Sequence, residues 1–342
     1  MQTTIKGIIM TVWTVLSCTH LPIKPTEINE DCLGKENAFI QFVAPQNPIF
    51  YLDCAQDMDW GIGIYTPTQK FGYIYPCFNQ NNANQIAFVR SYTNRRPPQP
   101  DELCTLDVCT GEQKMLCANI IGDLQWSQNG WISFKRNDNQ IWKIKPNGDS
   151  LSLISFGGSY NNHFDWNNEG THCIYQKEAG GSYYNLMADA KGNVIDTLSD
   201  ILAGRNNWDW GNNLIVYKGY HPNLGYGMFT YNVSNHQIKL VLGINSQEIQ
   251  HINLQKWIEI DAIFICNTPN FILRTNIYTQ QTDTLKKTGD NFYYLNFASS
   301  INYLIAPRFD RVYINPCLSE VSMNLYIMDK NGKEERKVIV PE

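Results

Sequence analysis

Apolar and polar positions alternate along most of the chain in short runs, separated by clusters of Asn, Asp and Gly. A period of two predicts half-buried strands rather than helices. One unit recurs. Trp126-Ser127-Gln128-Asn129-Gly130 is an aromatic residue and a polar turn, and Ile132-Ser133-Phe134-Lys135-Arg136 is the strand that follows. It returns from Trp166, with Gly170 in the turn and His172-Cys173-Ile174-Tyr175-Gln176-Lys177 behind it, and again from Trp210, ahead of Leu214-Ile215-Val216-Tyr217-Lys218. Weaker copies begin at Phe78, Trp257 and Phe297. Each copy carries a second turn, among them Asp107 to Gly111, Pro146-Asn147-Gly148, Ala190-Lys191-Gly192, Val233-Ser234-Asn235, Gln280 to Asp283 and Lys330-Asn331-Gly332. Two hairpins per unit predict four strands, A to D. A repeat of about 44 residues built this way is a β-propeller blade, because stacked blades bury both faces of each sheet.

The predicted fold class is therefore all-β, a β-propeller of four-stranded blades over residues 36–342. Ala38 to Val43, Pro48 to Asp53 and Met58 to Ile64 read as strands B, C and D of a blade preceding the six plain copies. Dividing residues 36–342 by a period of about 44 predicts seven blades, with six and an extra N-terminal segment as the alternative.

The start of the chain has a different pattern. Residues 1–17 contain a short polar start with Lys6 and an uncharged apolar run, the layout of a signal peptide. Val15-Leu16-Ser17-Cys18 resembles a bacterial lipobox, in which the cysteine becomes the lipidated N-terminus. Residues 18–35 are then a lipid-anchored tether that includes a candidate first strand, and Pro22 and Pro25 exclude a continued helix. This predicts an exported protein of the bacterial envelope, anchored to the outer membrane and facing the periplasm or the cell surface.

The Trp126 unit, its continuation Ile141-Trp142-Lys143-Ile144, and Asn84 to Arg90 followed by Leu103 to Asp107 and Thr110-Gly111 resemble the WD40-like repeat of TolB-type β-propellers. The family pattern runs W-S-P-D-G, I-A-F, a strand ending in Asp, then T-G; here Gln or Asn stands in place of the Pro. The resemblance covers residues 36–340. It implies the repeat fold and, for a bare propeller, an interaction platform.

Charge and chemistry narrow the function. Lys plus Arg number 27 against 32 Asp plus Glu, a net charge of −5, with no basic run, so nucleic acid is excluded as a partner class. No apolar stretch reaches the roughly 18 residues that a spanning helix needs. Ten cysteines leave nine after Cys18, an odd number. A hairpin centred on Thr110-Gly111 sets Cys104 opposite Cys117, a candidate disulfide, with two buried free thiols as the equal alternative. No Cys-x-x-Cys, no His-x-x-x-His and no Gly-x-Ser-x-Gly occurs, and the histidines are scattered over different repeats, so no cofactor, metal or catalytic residue is expected. Asp189 to Gly192 and Asp329 to Gly332 lack the downstream Glu of a calcium loop and read as hairpin turns. Asp165 and Asp209, ahead of their tryptophans, are assigned to turns and packing.

Strand B ends in a basic residue at Arg90, Arg136, Lys177, Lys218 and Arg308, with Arg95, Arg96 and Arg311 close behind. Because all strands B run the same way, these positions form a candidate partner-binding collar on one face, or simply charged strand ends that resist edge pairing. The function expected is a non-enzymatic binding or scaffolding module whose partner is a protein or an anionic envelope component. The alternative is a propeller hydrolase or lyase acting on glycans, which would need carboxylates converging at the channel mouth.

Overall fold

The computed structural model describes residues 32–34, 37–42, 64–67, 71–92, 100–154, 161–198, 208–244, 252, 254–267, 271–287, 292–294, 298–300, 302–315 and 318–341. Their strands run in chain order from two N-terminal pieces, β1 (Ile40–Phe42) and β2 (Ile64–Pro67), into a series of antiparallel meanders. Blade 1 is β3 (Phe71–Asn79), β4 (Asn82–Tyr92), β5 (Glu102–Asp107) and β6 (Gln113–Ala118). Blade 2 is β7 (Ile120–Trp126), β8 (Ile132–Arg136), β9 (Ile141–Ile144) and β10 (Ser152–Leu153). Blade 3 is β11 (Asn161–Trp166), β12 (His172–Ala179), β13 (Ser182–Asp189) and β14 (Val194–Thr197), and blade 4 is β15 (Trp208–Trp210), β16 (Leu214–His221), β17 (Gly225–Asn232) and β18 (Ile238–Gly243). Blade 5 is β19 (Leu254–Glu259), β20 (Ile263–Asn267), β21 (Phe271–Asn276) and β22 (Thr282–Lys287). In blade 6, β23 (Phe292–Tyr294) and β24 (Ala298–Ser299) share the strand A position, followed by β25 (Tyr303–Asn315), β26 (Leu318–Asp329) and β27 (Arg336–Val338).

There are six blades, not seven. The predicted strand B of a first blade, Ala38 to Val43, contributes β1, which pairs antiparallel with β27 and so extends blade 6 outward. β2 runs parallel to β26 and occupies the edge that β27 leaves open. The alternation marks these segments as strands without marking their sheet; the predicted strand C, Pro48 to Asp53, lies outside the described residues. Strands A touch one another in a closed circuit, β3 to β7, β11, β15, β19, β24 and back to β3.

The N-terminal segment crosses the seam of this circuit. Cys32 is disulfide-bonded to Cys109 in the C–D turn of blade 1, with Cα atoms 5.4 Å apart. Leu33 and Ile40 are fully buried in the core that blades 1, 2 and 6 share. The Phe39 ring covers Gly111, where an added Cβ would come within 2.0 Å of it. Four residues after Gly34 and its neighbours, β1 joins blade 6, so one short segment holds blade 1 covalently and the last blade by a ladder.

The C–D turns share one chemical device. Asp107, Asn232 and Asn276 each accept, through Oδ1, the backbone N–H groups two and three residues on, at 2.9–3.1 Å. Asp189 and Asp329 do so at two and four residues. An Asx side chain mimics a backbone turn in this way, which is why strand C so often ends in Asp or Asn. The two loops that resemble calcium motifs are thus hairpin turns. The fifth turn lies at residues 277–279, ahead of the predicted Gln280 to Asp283.

Candidate functional site

The ends of strands A converge on the mouth of the central channel. It is lined by residues of all six blades, among them Gln80, Gln125, Trp166, Asp209, Lys256 and Ser299, and its free volume is about 60 Å³. That is room for a few waters rather than a substrate.

Most polar side chains here tie one blade to the next. Gln125 Oε1 accepts the backbone N–H of Trp166 at 2.7 Å, Asp165 Oδ2 that of Trp210 at 2.6 Å, and Asp209 Oδ2 that of Trp257 at 2.6 Å. One rule generates all three: the residue before each blade's tryptophan bonds the main chain at the next blade's tryptophan. Lys256 holds the same position in blade 5 and forms an ion pair with Asp209. Ser299 Oγ donates to the Trp257 carbonyl at 2.5 Å, and Gln80 Nε2 donates to the Ser299 carbonyl at 3.5 Å, carrying the ties through blade 6 to blade 1. The A–B turns add a second circle through Asn81 to Gln128, Asn129 to Gly170, and Asp261 accepting from the N–H groups of Asn212, Asn213 and Leu214.

Asp165 and Asp209 are 4% and 3% exposed, so the channel does hold two buried carboxylates. Their oxygens are already engaged by main-chain N–H groups and Lys256. Burial alone would push the Lys256 ammonium below its usual pKa, but the Asp209 and Asp165 carboxylates outweigh it and raise the value. An ammonium and carboxylates held in their charged forms and hydrogen-bonded to the scaffold supply neither a free general acid nor a free base. Among the described residues, no group of three or more His, Cys, Asp or Glu side chains could hold a metal ion. Composition and motif searches missed Gln125 and Lys256 as site residues, yet the signal was there: a polar residue always precedes the blade tryptophan.

The predicted collar is built into the blades at several points. Arg90 Nε and Nη2 donate to Glu102 Oε2, across the β4–β5 ladder, at 2.8 and 2.6 Å. Arg308 is 3% exposed, ion-paired to Glu335 at 2.8 Å and stacked 3.6 Å over the Tyr326 ring. Lys218 donates to the Ile252 carbonyl, and its burial lowers its pKa. Arg136 lies 5.0 Å over Trp142. Lys177 pairs with Tyr184 in the β12–β13 ladder, and Arg311 with Val321 in the β25–β26 ladder. Arg95 and Arg96 lie outside the described residues, as does Cys18. Carboxylates at Arg90 and Arg308 offset the charge that the strand-end pattern predicts for this face.

The Cys104–Cys117 pairing is corrected. A bulge between Leu103 and Cys104 sets Cys117 opposite Leu103 and Cys104 opposite Met115. Both thiols are free, and burial raises each to about 11.

The fold and the channel together define a six-bladed β-propeller whose mouth is laced shut by inter-blade hydrogen bonds. This is the TolB-type propeller fold. The TolB of Acinetobacter baumannii superimposes with a TM-score of 0.57 and 13% identity over 75% of this chain and 63% of that one. A protein assigned as TolB from Agrobacterium tumefaciens gives 0.55 and 10% over 70% of this chain and 88% of that one. The acylaminoacyl peptidase of Pyrococcus horikoshii gives 0.52 and 11% over 79% of this chain and 52% of that one. At such identities the likeness is one of fold. No family model and no curated protein matches the sequence.

Proposed function

We propose that this chain is an exported, lipid-anchored propeller of the bacterial envelope, and that it binds a protein partner through the B–C hairpin of blade 4 without catalysing a reaction. The observation that carries the binding reading is a pair of exposed aromatics. Tyr220 and Tyr226 face each other across the β16–β17 ladder with ring centroids 4.7 Å apart, 60% and 43% exposed. Leu224, 40% exposed, completes the patch at the hairpin tip. Exposed apolar clusters of this kind mark interaction surfaces, and tyrosine is over-represented among residues that dominate protein–protein binding. The lacing of the channel carboxylates argues against the glycan hydrolase or lyase. The Cys32–Cys109 disulfide supports an oxidising compartment, and Val15-Leu16-Ser17-Cys18 supports the anchor.

A photoreactive amino acid in place of Tyr220 should give one discrete protein adduct in envelope-bearing cells. The same residue at Tyr278, 68% exposed in the C–D turn of blade 5, should give none. No adduct at Tyr220, or the same adducts at both sites, would overturn the reading. Cys18→Ser should move the protein from the detergent phase to the aqueous phase; a wild type already in the aqueous phase contradicts the anchor.

A further inference from the structure

A second cavity lies away from the channel, between blades 1 and 2. Its volume is about 280 Å³, and its walls include Gln85 and Thr105 of blade 1, the side chains of Glu112 and Lys114, and Asn147 in the C–D turn of blade 2. Trp126 also lines it. That residue is 2% exposed, and its indole N–H has no acceptor among the described residues.

The repeat explains the orphan. The equivalent indole of Trp166 donates to Ser133 Oγ, on strand B of the preceding blade, at 2.9 Å. Aligning Ile132-Ser133-Phe134 with Ile86-Ala87-Phe88 puts Ala87 at the serine's place in blade 1. Ala87 pairs with Thr105, and Gln85 with Asp107, so period-two alternation puts Gln85, Ala87, Thr105 and Asp107 on one face of blade 1. Three of these four line the cleft. The indole donor is thus directed at the cleft wall where blade 2 would supply a hydroxyl and blade 1 supplies a methyl. A buried donor left unpaired is costly, and a cavity beside it is where an acceptor can come from outside the chain.

The remaining groups specify that acceptor. Gln85 is fixed by Asn79, which donates to its Oε1 at 2.9 Å. Lys114 Nζ donates to the Asn147 carbonyl at 2.6 Å, bridging the two blades at the rim and leaving further N–H groups to offer. Glu112 is exposed and offers carboxylate acceptors. Donors at the floor and both donors and acceptors at the wall suit hydroxyl groups, which accept and donate at once. The charges of Lys114 and Glu112 are solvated and opposite, so a neutral ligand fits better than an ion.

We propose that this cleft binds a neutral polyhydroxylated ring, a free monosaccharide or the end residue of a glycan, with a ligand hydroxyl accepting from Trp126 Nε1. The test is the ¹⁵N-indole spectrum of the protein titrated with glucose, galactose, N-acetylglucosamine and myo-inositol, and with short oligosaccharides of the same sugars. The Trp126 signal is identified by its loss in Trp126→Phe or, if that variant does not fold, by its displacement in Ala87→Ser. At least one probe should shift this signal saturably while the Trp166 signal stays fixed. Response to free sugars would identify a monosaccharide site, and response to oligosaccharides alone a glycan end. Glu112→Gln should weaken binding by about tenfold, the loss of one charge-assisted hydrogen bond. Ala87→Ser should abolish it, by giving the indole an internal acceptor. No saturable shift with any probe, or an undiminished one in Ala87→Ser, would overturn the proposal and leave the cleft a water site.

Discussion

Lys256 shows how a single position can be structural in one blade and electrostatic for two. Its side chain is only 25% exposed, and its partner Asp209 is 5% exposed. Removing one member of such a pair leaves a buried charge uncompensated, at a cost of about 3–5 kcal/mol. Asp209→Asn should therefore lower stability in urea by about that amount, whereas an equally conservative change at exposed Asp149 should shift it by less than about 0.5 kcal/mol. The pH dependence has a definite sign. The folded pKa of Lys256 is raised, so its contribution is complete below its unfolded value of 10.5 and is lost as pH climbs through the folded one. Wild type should thus lose more stability above pH 10.5 than Lys256→Met does; equal losses would contradict the assignment. A second residue-scale contrast separates backbone strain from crowding. Gly111 and Gly130 both have positive φ, +73° and +78°, but a Cβ at Gly111 meets the Phe39 ring and one at Gly130 meets nothing. Gly130→Ala should cost about 1–2 kcal/mol, the price of a left-handed alanine, and Gly111→Ala about 1–3 kcal/mol more for the displaced ring. Equal costs in urea unfolding would mean that Phe39 does not pack there.

At the scale of the element, the strands, their turns and the blade period were legible, because apolar alternation and Asx turns act within one hairpin. Trp126, Trp166 and Trp210 were read correctly as packing residues, and all are nearly buried. Register was less legible. The bulge that separates Cys104 from Cys117 leaves no mark in the alternation, since an extra residue is absorbed by a local bend. Strand membership was the other gap: Ile40–Phe42 has the pattern of a strand B yet finds its partner in Arg336–Val338, almost the whole chain away. The inter-blade ties were half legible. Asp165 and Asp209 were assigned to packing, but only the three-dimensional ring shows that Gln125 and both aspartates perform one task on successive tryptophans. The basic strand ends were legible as a repeat and illegible as partners, because Glu102 lies one hairpin away and Glu335 two strands on.

At the scale of the molecule, a ring has one seam, and here the segment before the first blade closes it. β1 adds to blade 6 while Cys32 is bonded to blade 1, so opening the ring requires breaking both a ladder and a covalent bond. With 77 residues between its cysteines, the disulfide should stabilise the fold by about 4 kcal/mol in the chain-entropy view, and such a bond persists in an oxidising compartment. The clasp therefore joins the architecture to the exported role: a binding module outside the cytoplasm holds its ring shut without help from a partner. Peptide mapping of the non-reduced protein, isolated from the envelope with free thiols alkylated, tests this most directly. The account predicts a peptide containing Cys32 joined to one containing Cys109, with Cys104 and Cys117 both alkylated once the chain is unfolded. A Cys104–Cys117 peptide, or Cys32 and Cys109 recovered as alkylated thiols, would contradict it.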